Sequence, residues 1–255
     1  MGLLSDIVAE KQREIARLRA APLKAPARPT VDPYEALRRP EGAPLRLIAE
    51  IKRRSPSAGA LSTALSAVER GLAYERAGAV AISVLTDAPF FAGSFDDLRD
   101  VSGAVSVPTL CKDFVLDEIQ LAHAAAAGAS LVLLIVRLLD RAALAHLVDR
   151  ARAHGLAPLV EITNEDELER ALSVGARIIG VNARDLDTLV MDRERAARVV
   201  AAVPRGYIAI HLSGLKTPDD VQRVAAGRAD AALTGEALMR ADDPGPLLAS
   251  LVGAT

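Results

Sequence analysis

From residue 45 onward, apolar residues come in short unbroken runs that alternate with longer stretches where they recur every three or four positions. Short runs rich in Val, Ile and Leu predict strands buried on both faces, and the periodic Ala/Leu/Arg-rich stretches predict helices that cover them. Eight runs carry the strand signature, at 47–52, 79–86, 108–114, 131–136, 157–163, 177–182, 207–212 and 231–234, each followed by a plausible helix. Eight βα units closing one (β/α)8 TIM barrel of the α/β class fit this order better than an open doubly wound sheet of about five or six strands. No GxGxxG or Walker A sequence opens any of the helices, which weakens the dinucleotide-fold and P-loop readings.

Residues 1–44 stand outside this rhythm and read as an N-terminal helical extension of one 1–255 domain whose barrel is 45–255. Over 3–18, Leu3, Leu4, Ile7, Val8, Ile15 and Leu18 fall on one side of a helix, and Lys11, Arg13, Glu14 and Arg17 populate the others. Residues 21–33, rich in Pro and Ala, read as a linker or ordered arm. Asp32 and Pro33 then supply an N-cap and first position for a helical turn over 33–39. Further start signals are Thr163 or Asn164 ahead of Glu165-Asp166-Glu167, Thr217-Pro218-Asp219-Asp220, and Ala241-Asp242-Asp243-Pro244. Gly78, Gly128, Gly175 and Gly227 recur at helix-to-strand junctions, as glycines that end helices do.

Charge appears where barrel strands are apolar. Side chains two apart on a strand share a face, so Ile48, Glu50 and Lys52 point one way. Leu110, Lys112 and Phe114 form a second set, Leu159 and Glu161 a third, and Gly180, Asn182 and Arg184 a fourth. In each set the apolar or small residue comes first and the polar one sits toward the C-terminal end, where barrel active sites lie. Strand ends running into solvated loops explain any one of these residues; a whole set on the inward parity points to a cluster with chemistry to perform. Ser55 lies just past the first strand, Ser213-Gly214 follows the seventh, and Gly235-Glu236 follows the eighth. Turns after strands seven and eight are where such barrels often hold phosphate.

Composition narrows the classes. The chain is 51% hydrophobic but 3% aromatic with no Trp, so its core is built from Ala, Val, Leu and Ile. A net charge of −2 without a block of like charge speaks against nucleic-acid and polybasic membrane surfaces. The longest apolar run, 131–136, is far short of the 18 or so residues of a membrane span, and the first residues lack the pattern of a signal peptide. Cys111 is the only cysteine, so no intrachain disulfide forms, and its parity turns it toward the helices. His123, His146 and His154 lie in helical stretches at irregular spacing and read as surface or interhelix residues. No cluster has metal-ligand spacing, and there is no GxSxG elbow. The expectation is a soluble cytoplasmic enzyme, monomeric or weakly homo-oligomeric, acting on a small phosphorylated molecule.

Several segments carry a closer resemblance: Ile48-Ala49-Glu50-Ile51-Lys52-Arg53-Arg54-Ser55-Pro56-Ser57, Ser83-Val84-Leu85-Thr86, Cys111-Lys112-Asp113-Phe114, Leu133-Leu134-Ile135-Val136, Leu159-Val160-Glu161-Ile162, Gly180-Val181-Asn182-Ala183-Arg184-Asp185-Leu186 and Leu233-Thr234-Gly235-Glu236-Ala237-Leu238-Met239. Together they resemble the indole-3-glycerol-phosphate synthase family of tryptophan biosynthesis, from about residue 3 to the end. The resemblance implies conversion of 1-(2-carboxyphenylamino)-1-deoxyribulose 5-phosphate to indole-3-glycerol phosphate with release of CO2 and water, and calls for no metal or organic cofactor. It gives Lys112 the role of acid at ring closure. Lys52 holds the substrate carboxylate, with either lysine available for the later dehydration. Glu161 matches the base or proton-relay carboxylate, and Glu50 and Asn182 orient substrate and lysines, with Arg184 nearby. Phe91, Phe114, Leu133 and Leu186 resemble the apolar wall, and Ser55, Ser213, Gly214, Gly235 and Glu236 the phosphate site.

One departure stands out. After the seventh strand the family usually reads Ala-Glu-Ser-Gly, but here the chain reads His211-Leu212-Ser213-Gly214. Parity turns Leu212 inward where an acid is expected and His211 toward the helices, unless a bulge reverses them. The remaining acids then suffice or activity is lowered. The competing readings are a catalytically weakened phosphate-ligand-binding barrel and another phosphate-binding barrel such as phosphoribosylanthranilate isomerase, whose Cys/Asp acid–base pair Cys111 has the wrong parity to supply.

Overall fold

The computed structural model describes residues 3–24, 31–56, 59–185 and 187–254. Eight parallel strands close a barrel: β1 (Arg46–Ile51), β2 (Ala81–Leu85), β3 (Thr109–Lys112), β4 (Leu131–Ile135), β5 (Ala157–Ile162), β6 (Ile178–Val181), β7 (Ile208–His211) and β8 (Ala231–Thr234). Each strand pairs with its neighbours in chain order, and β8 returns to β1 with Leu233 beside Ile48. The expected barrel is therefore present, with strands shorter at several ends than the apolar runs. The ladder ends where the chain turns out into loops, although single bonds carry on past it: Asn182 N–H donates to Ile162 O at 2.9 Å and Leu212 N–H to Val181 O at 2.9 Å. Those bonds keep Asn182 and Leu212 in strand parity.

Alternation divides the core in two. Inward residues such as Ile48, Leu110, Leu131, Leu159, Ile178 and Ile210 pack together inside the barrel. Their outward neighbours, among them Ala49, Val84, Cys111, Val132 and Val160, pack against the helix layer. The layered aliphatic filling explains how so few aromatics suffice. Helix starts follow local chemistry: the Asn164 side chain accepts from Glu167 N at 2.9 Å, and Thr217 and Asp220 form a reciprocal capping box. Gly78, Gly128 and Gly175 take the left-handed conformation expected of them, but Gly227 does not, because Arg228 adds a residue before the chain turns into β8.

The extension forms α1 (Leu3–Ala20) and α2 (Pro33–Leu37), the latter capped by Asp32 as anticipated. In α1 the apolar stripe is Leu4, Ile7, Val8, Ile15 and Leu18, as the period requires. Lys11 departs from expectation: it is fully buried in the middle of that stripe rather than on the solvated side. Besides Glu14 on its own helix, its partners are Asp87 and Asp113, carboxylates brought in from the barrel that helical periodicity alone does not reveal. Among the described residues no helix is long and apolar enough to cross a membrane.

Candidate active site

At the C-terminal mouth of the barrel a cavity is lined by Glu50, Lys52, Ser55, Phe91, Lys112, Phe114, Asn182, Arg184, Leu212, Ser213, Gly214, Gly235 and Glu236, with Leu4 and Ile7 contributed by α1. The inward parity of β1 raises Glu50 above Ile48, and Lys52 follows where the strand ends. Lys52 Nζ donates to Glu50 Oε1 at 2.7 Å, and the Ser83 hydroxyl donates to Glu50 Oε2 at 3.4 Å. Burial pushes the Glu50 carboxyl up, but the Lys52 and Lys112 ammonium groups outweigh it and hold the group below the ordinary carboxylate range. Gly235 belongs here for a steric reason: a Cβ at that position would lie 2.8 Å from Glu50 Oε1.

Across the mouth, Glu161 sits just beneath the lining on β5 and is 2% exposed. Asn182 Nδ2 donates to its Oε1 at 3.0 Å, while its Oε2 is buried without a hydrogen-bond partner. Asn182 is itself fixed, since its Oδ1 accepts from Arg184 N at 2.9 Å and from the Ser213 hydroxyl at 2.8 Å. Burial raises the Glu161 carboxyl, and Lys112 and Asn182 offset this only in part. Two carboxylates facing one lysine are thus driven in opposite directions, Glu50 toward the ionised form and Glu161 toward the protonated one. A pair so separated can divide charge stabilisation from proton transfer.

Lys112 ends β3 and faces the cavity with Phe114 beyond it. The Phe114 ring packs against Phe91, with centroids 6.1 Å apart. Together they give the cavity an apolar side opposite the charged one. Leu133, expected on that wall, lies inside the barrel and does not reach the cavity, being one inward position below Ile135. Leu186 lies outside the described residues. At the other end Ser55, Ser213, Gly214, Gly235 and Glu236 come together as the loops after strands one, seven and eight converge. The Ser213 hydroxyl is already committed there, donating to Asn182 and accepting from Ala183 N at 3.1 Å. Lys216, which the sequence reading did not single out, lines this end 3.3 Å from Glu236 Oε1. A lone Lys after a loop carries no signal that distinguishes it from a surface residue.

The region after β7 follows parity without a bulge. Leu212 points inward, 5% exposed, above Gly180, whose Cβ would meet the Leu212 side chain at 2.5 Å. His211 faces the helices, and burial pushes its imidazole below the usual range. Cys111 is buried in the outer layer, with its Sγ 3.5 Å from Thr86 Oγ1 and its thiol pushed up by burial. It does not reach the mouth, so the Cys/Asp isomerase chemistry has no cysteine to use.

Residues 4–251 match the family model described as indole-3-glycerol phosphate synthase. The chain is 46% identical over 254 residues to the indole-3-glycerol phosphate synthase of Mycobacteroides abscessus, covering 99% of this chain and 92% of that one. It is 47% identical over 259 residues to that of Opitutus terrae, covering 96% and 97%. Among solved structures, thiamine phosphate pyrophosphorylase from Pyrococcus furiosus superposes with a TM-score of 0.62 at 18% identity, covering 82% of this chain and 95% of that one; this likeness concerns the fold alone. With a family match along nearly its whole length and relatives well above the level at which families are shared, the chain belongs to the indole-3-glycerol phosphate synthase family, the carboxy-lyases of tryptophan biosynthesis.

Proposed function

We propose that this cavity closes the indole ring of 1-(2-carboxyphenylamino)-1-deoxyribulose 5-phosphate with Lys112 as general acid and Glu161 as the carboxyl that accepts and passes on protons. The observation that carries the reading is the position of Lys112 beside two carboxyls shifted in opposite directions, Glu50 below the ordinary carboxylate range and Glu161 above it. The anilino ring seats against Phe91 and Phe114, and the phosphate lies at the end formed by Ser55, Gly214, Gly235 and Glu236, with backbone N–H groups as donors and Lys216 adding positive charge. Ser213 acts there through its backbone and through its hold on Asn182, which in turn aims Glu161; Arg184 closes the same side.

The ring carbon bearing the carboxylate attacks the ribulose carbonyl carbon. The carbonyl π pair moves to oxygen, which takes a proton from the Lys112 ammonium. CO2 then leaves, and its bonding pair restores the aromatic ring. Loss of the new hydroxyl as water requires a second proton, from Lys52 or from a reprotonated Lys112, and loss of a proton from the adjacent carbon to Glu161 completes the indole. An elevated carboxyl pKa makes Glu161 a stronger base than an exposed glutamate. Lys52 holds the substrate carboxylate until it departs, and Glu50 orients Lys52 through their 2.7 Å hydrogen bond. The protein works on a small phosphorylated molecule, and a cytoplasmic site of action in a monomer or weak homo-oligomer belongs to the same reading.

Steady-state formation of indole-3-glycerol phosphate by wild type and Lys112→Ala tests it. Loss of a general acid is expected to lower kcat by about 10²–10⁴-fold with a smaller change in KM. Turnover that survives the substitution undiminished sinks the assignment.

A further inference from the structure

The most deeply buried cation of the described residues near the mouth is Lys11, and the reaction as derived makes no use of it. Its Nζ lies 2.5 Å from Asp113 Oδ1, 2.9 Å from Asp87 Oδ2 and 2.9 Å from Glu14 Oε2. The side chains of Lys11 and Asp87 are 0% exposed and that of Asp113 1%. Docking α1 needs none of this charge, since Ile7 already packs with the barrel-interior residues. Buried ion pairs gain little over apolar contacts of the same size. What the charges do is tie two loop beginnings to one point. Asp113 directly follows Lys112; its Oδ1 also accepts from Phe114 N at 2.7 Å and its Oδ2 from the Thr86 hydroxyl at 2.5 Å. Asp87 directly follows Thr86, and its Oδ1 accepts from Phe90 N at 2.7 Å, opening the short turn that carries Phe91.

We propose that Lys11 is a positioning residue for the reaction: by holding Asp113 and Asp87 together it sets where the Lys112 ammonium and the Phe91–Phe114 wall meet the substrate. The proposal rests on Lys112 being the acid. The groups that face Lys112 are Glu50 from β1 and Glu161 from β5, with Lys52 in the same cavity. Those that face Lys11 are Glu14 from its own helix, Asp87 from the end of β2 and Asp113 from the end of β3, with Cys111 close by. Lys11 neutralises Asp113, the residue that follows Lys112, together with Asp87, so substitutions in the cluster act on Lys112 in opposite electrostatic directions.

The test measures kcat, KM and the pH dependence of kcat for K11M and D113N beside wild type. K11M is expected to lower kcat about tenfold or more with KM within about threefold. It leaves carboxylates uncompensated behind Lys112 and moves the basic limb of the profile to higher pH. D113N keeps Lys11 paired with Asp87 and Glu14, so it preserves the fold; it is expected to lower kcat as well and to move the basic limb to lower pH. A merely structural lysine lowers the melting temperature and moves neither limb. Where K11M fails to fold, D113N decides alone. A D113N basic limb unmoved from wild type with kcat within about twofold, or limbs displaced in the same direction by both variants, overturns the proposal. Failure of the underlying acid assignment is read separately, because Lys112→Ala then retains its turnover.

Discussion

Replacing Glu161 with Gln should make the barrel more stable and nearly inactive, and the stability gain should depend on pH in a defined sense. The two side chains are nearly isosteric, and Gln keeps the acceptor that Asn182 Nδ2 uses at 3.0 Å. What disappears is the ionisation of a fully buried carboxyl whose folded pKa lies above its unfolded value because burial outweighs Lys112 and Asn182. As pH rises past the ordinary carboxylate range, the unfolded chain gives up this proton first. The folded chain then binds more protons than the unfolded one, and stability falls with pH until the folded group also ionises. Each pH unit of that window costs about 1.4 kcal/mol. Glu161→Gln removes the loss, so its advantage should be near zero at about pH 4 and clearly larger at about pH 8, each kcal/mol of it reading as roughly 2–4 °C in Tm for a chain of this length. Thermal melts at the two pH values, with kcat measured on the same samples, check both halves. An advantage equal at the two pH values, or a variant less stable at the higher one, would refute the account of Glu161 as a carboxyl whose pKa burial raises. Turnover within tenfold of wild type would remove it from proton transfer.

Two further outcomes follow from the contact between β6 and the residue after β7. Gly180→Ala places a methyl 2.5 Å from Leu212 Cδ1 and 2.6 Å from Leu159 Cδ2, which should destabilise the fold by about 1–3 kcal/mol. Adding Leu212→Ala to it should restore part of that loss in thermal melts, whereas simply additive penalties would show that the two side chains do not collide. Leu212→Glu should change kcat by less than about tenfold, since Glu50 and Glu161 already provide the carboxylates of the site. A larger gain would mean that the natural chain is a weakened catalyst for want of that acid.

Strand parity was the most legible part of the molecule. Because side chains alternate strictly, the inward placement of Glu50, Lys112, Glu161, Asn182 and Leu212, and the outward placement of Cys111 and His211, could be read from the sequence. Depth along the strand was less legible, and Leu133 shows why: parity gives a face, while height depends on how neighbouring strands are staggered. The environment of Lys11 was hidden in another way. Helical periodicity marks the stripe on which it sits, but the carboxylates that make its burial tolerable come from strand ends distant in sequence. The use of the Ser213 hydroxyl was equally hidden, because a hydroxyl beside a phosphate loop and one that fixes an asparagine look alike in one dimension.

The apolar wall of Phe91 and Phe114 has a practical side. It is built from phenyl rings in a chain that has no Trp anywhere. The product's own indole is therefore the one such chromophore in the system, and its emission rises against a background of three tyrosines. A fluorimeter can follow this barrel filling with its product, and can sense how dry the pocket is, without a label or a coupling enzyme.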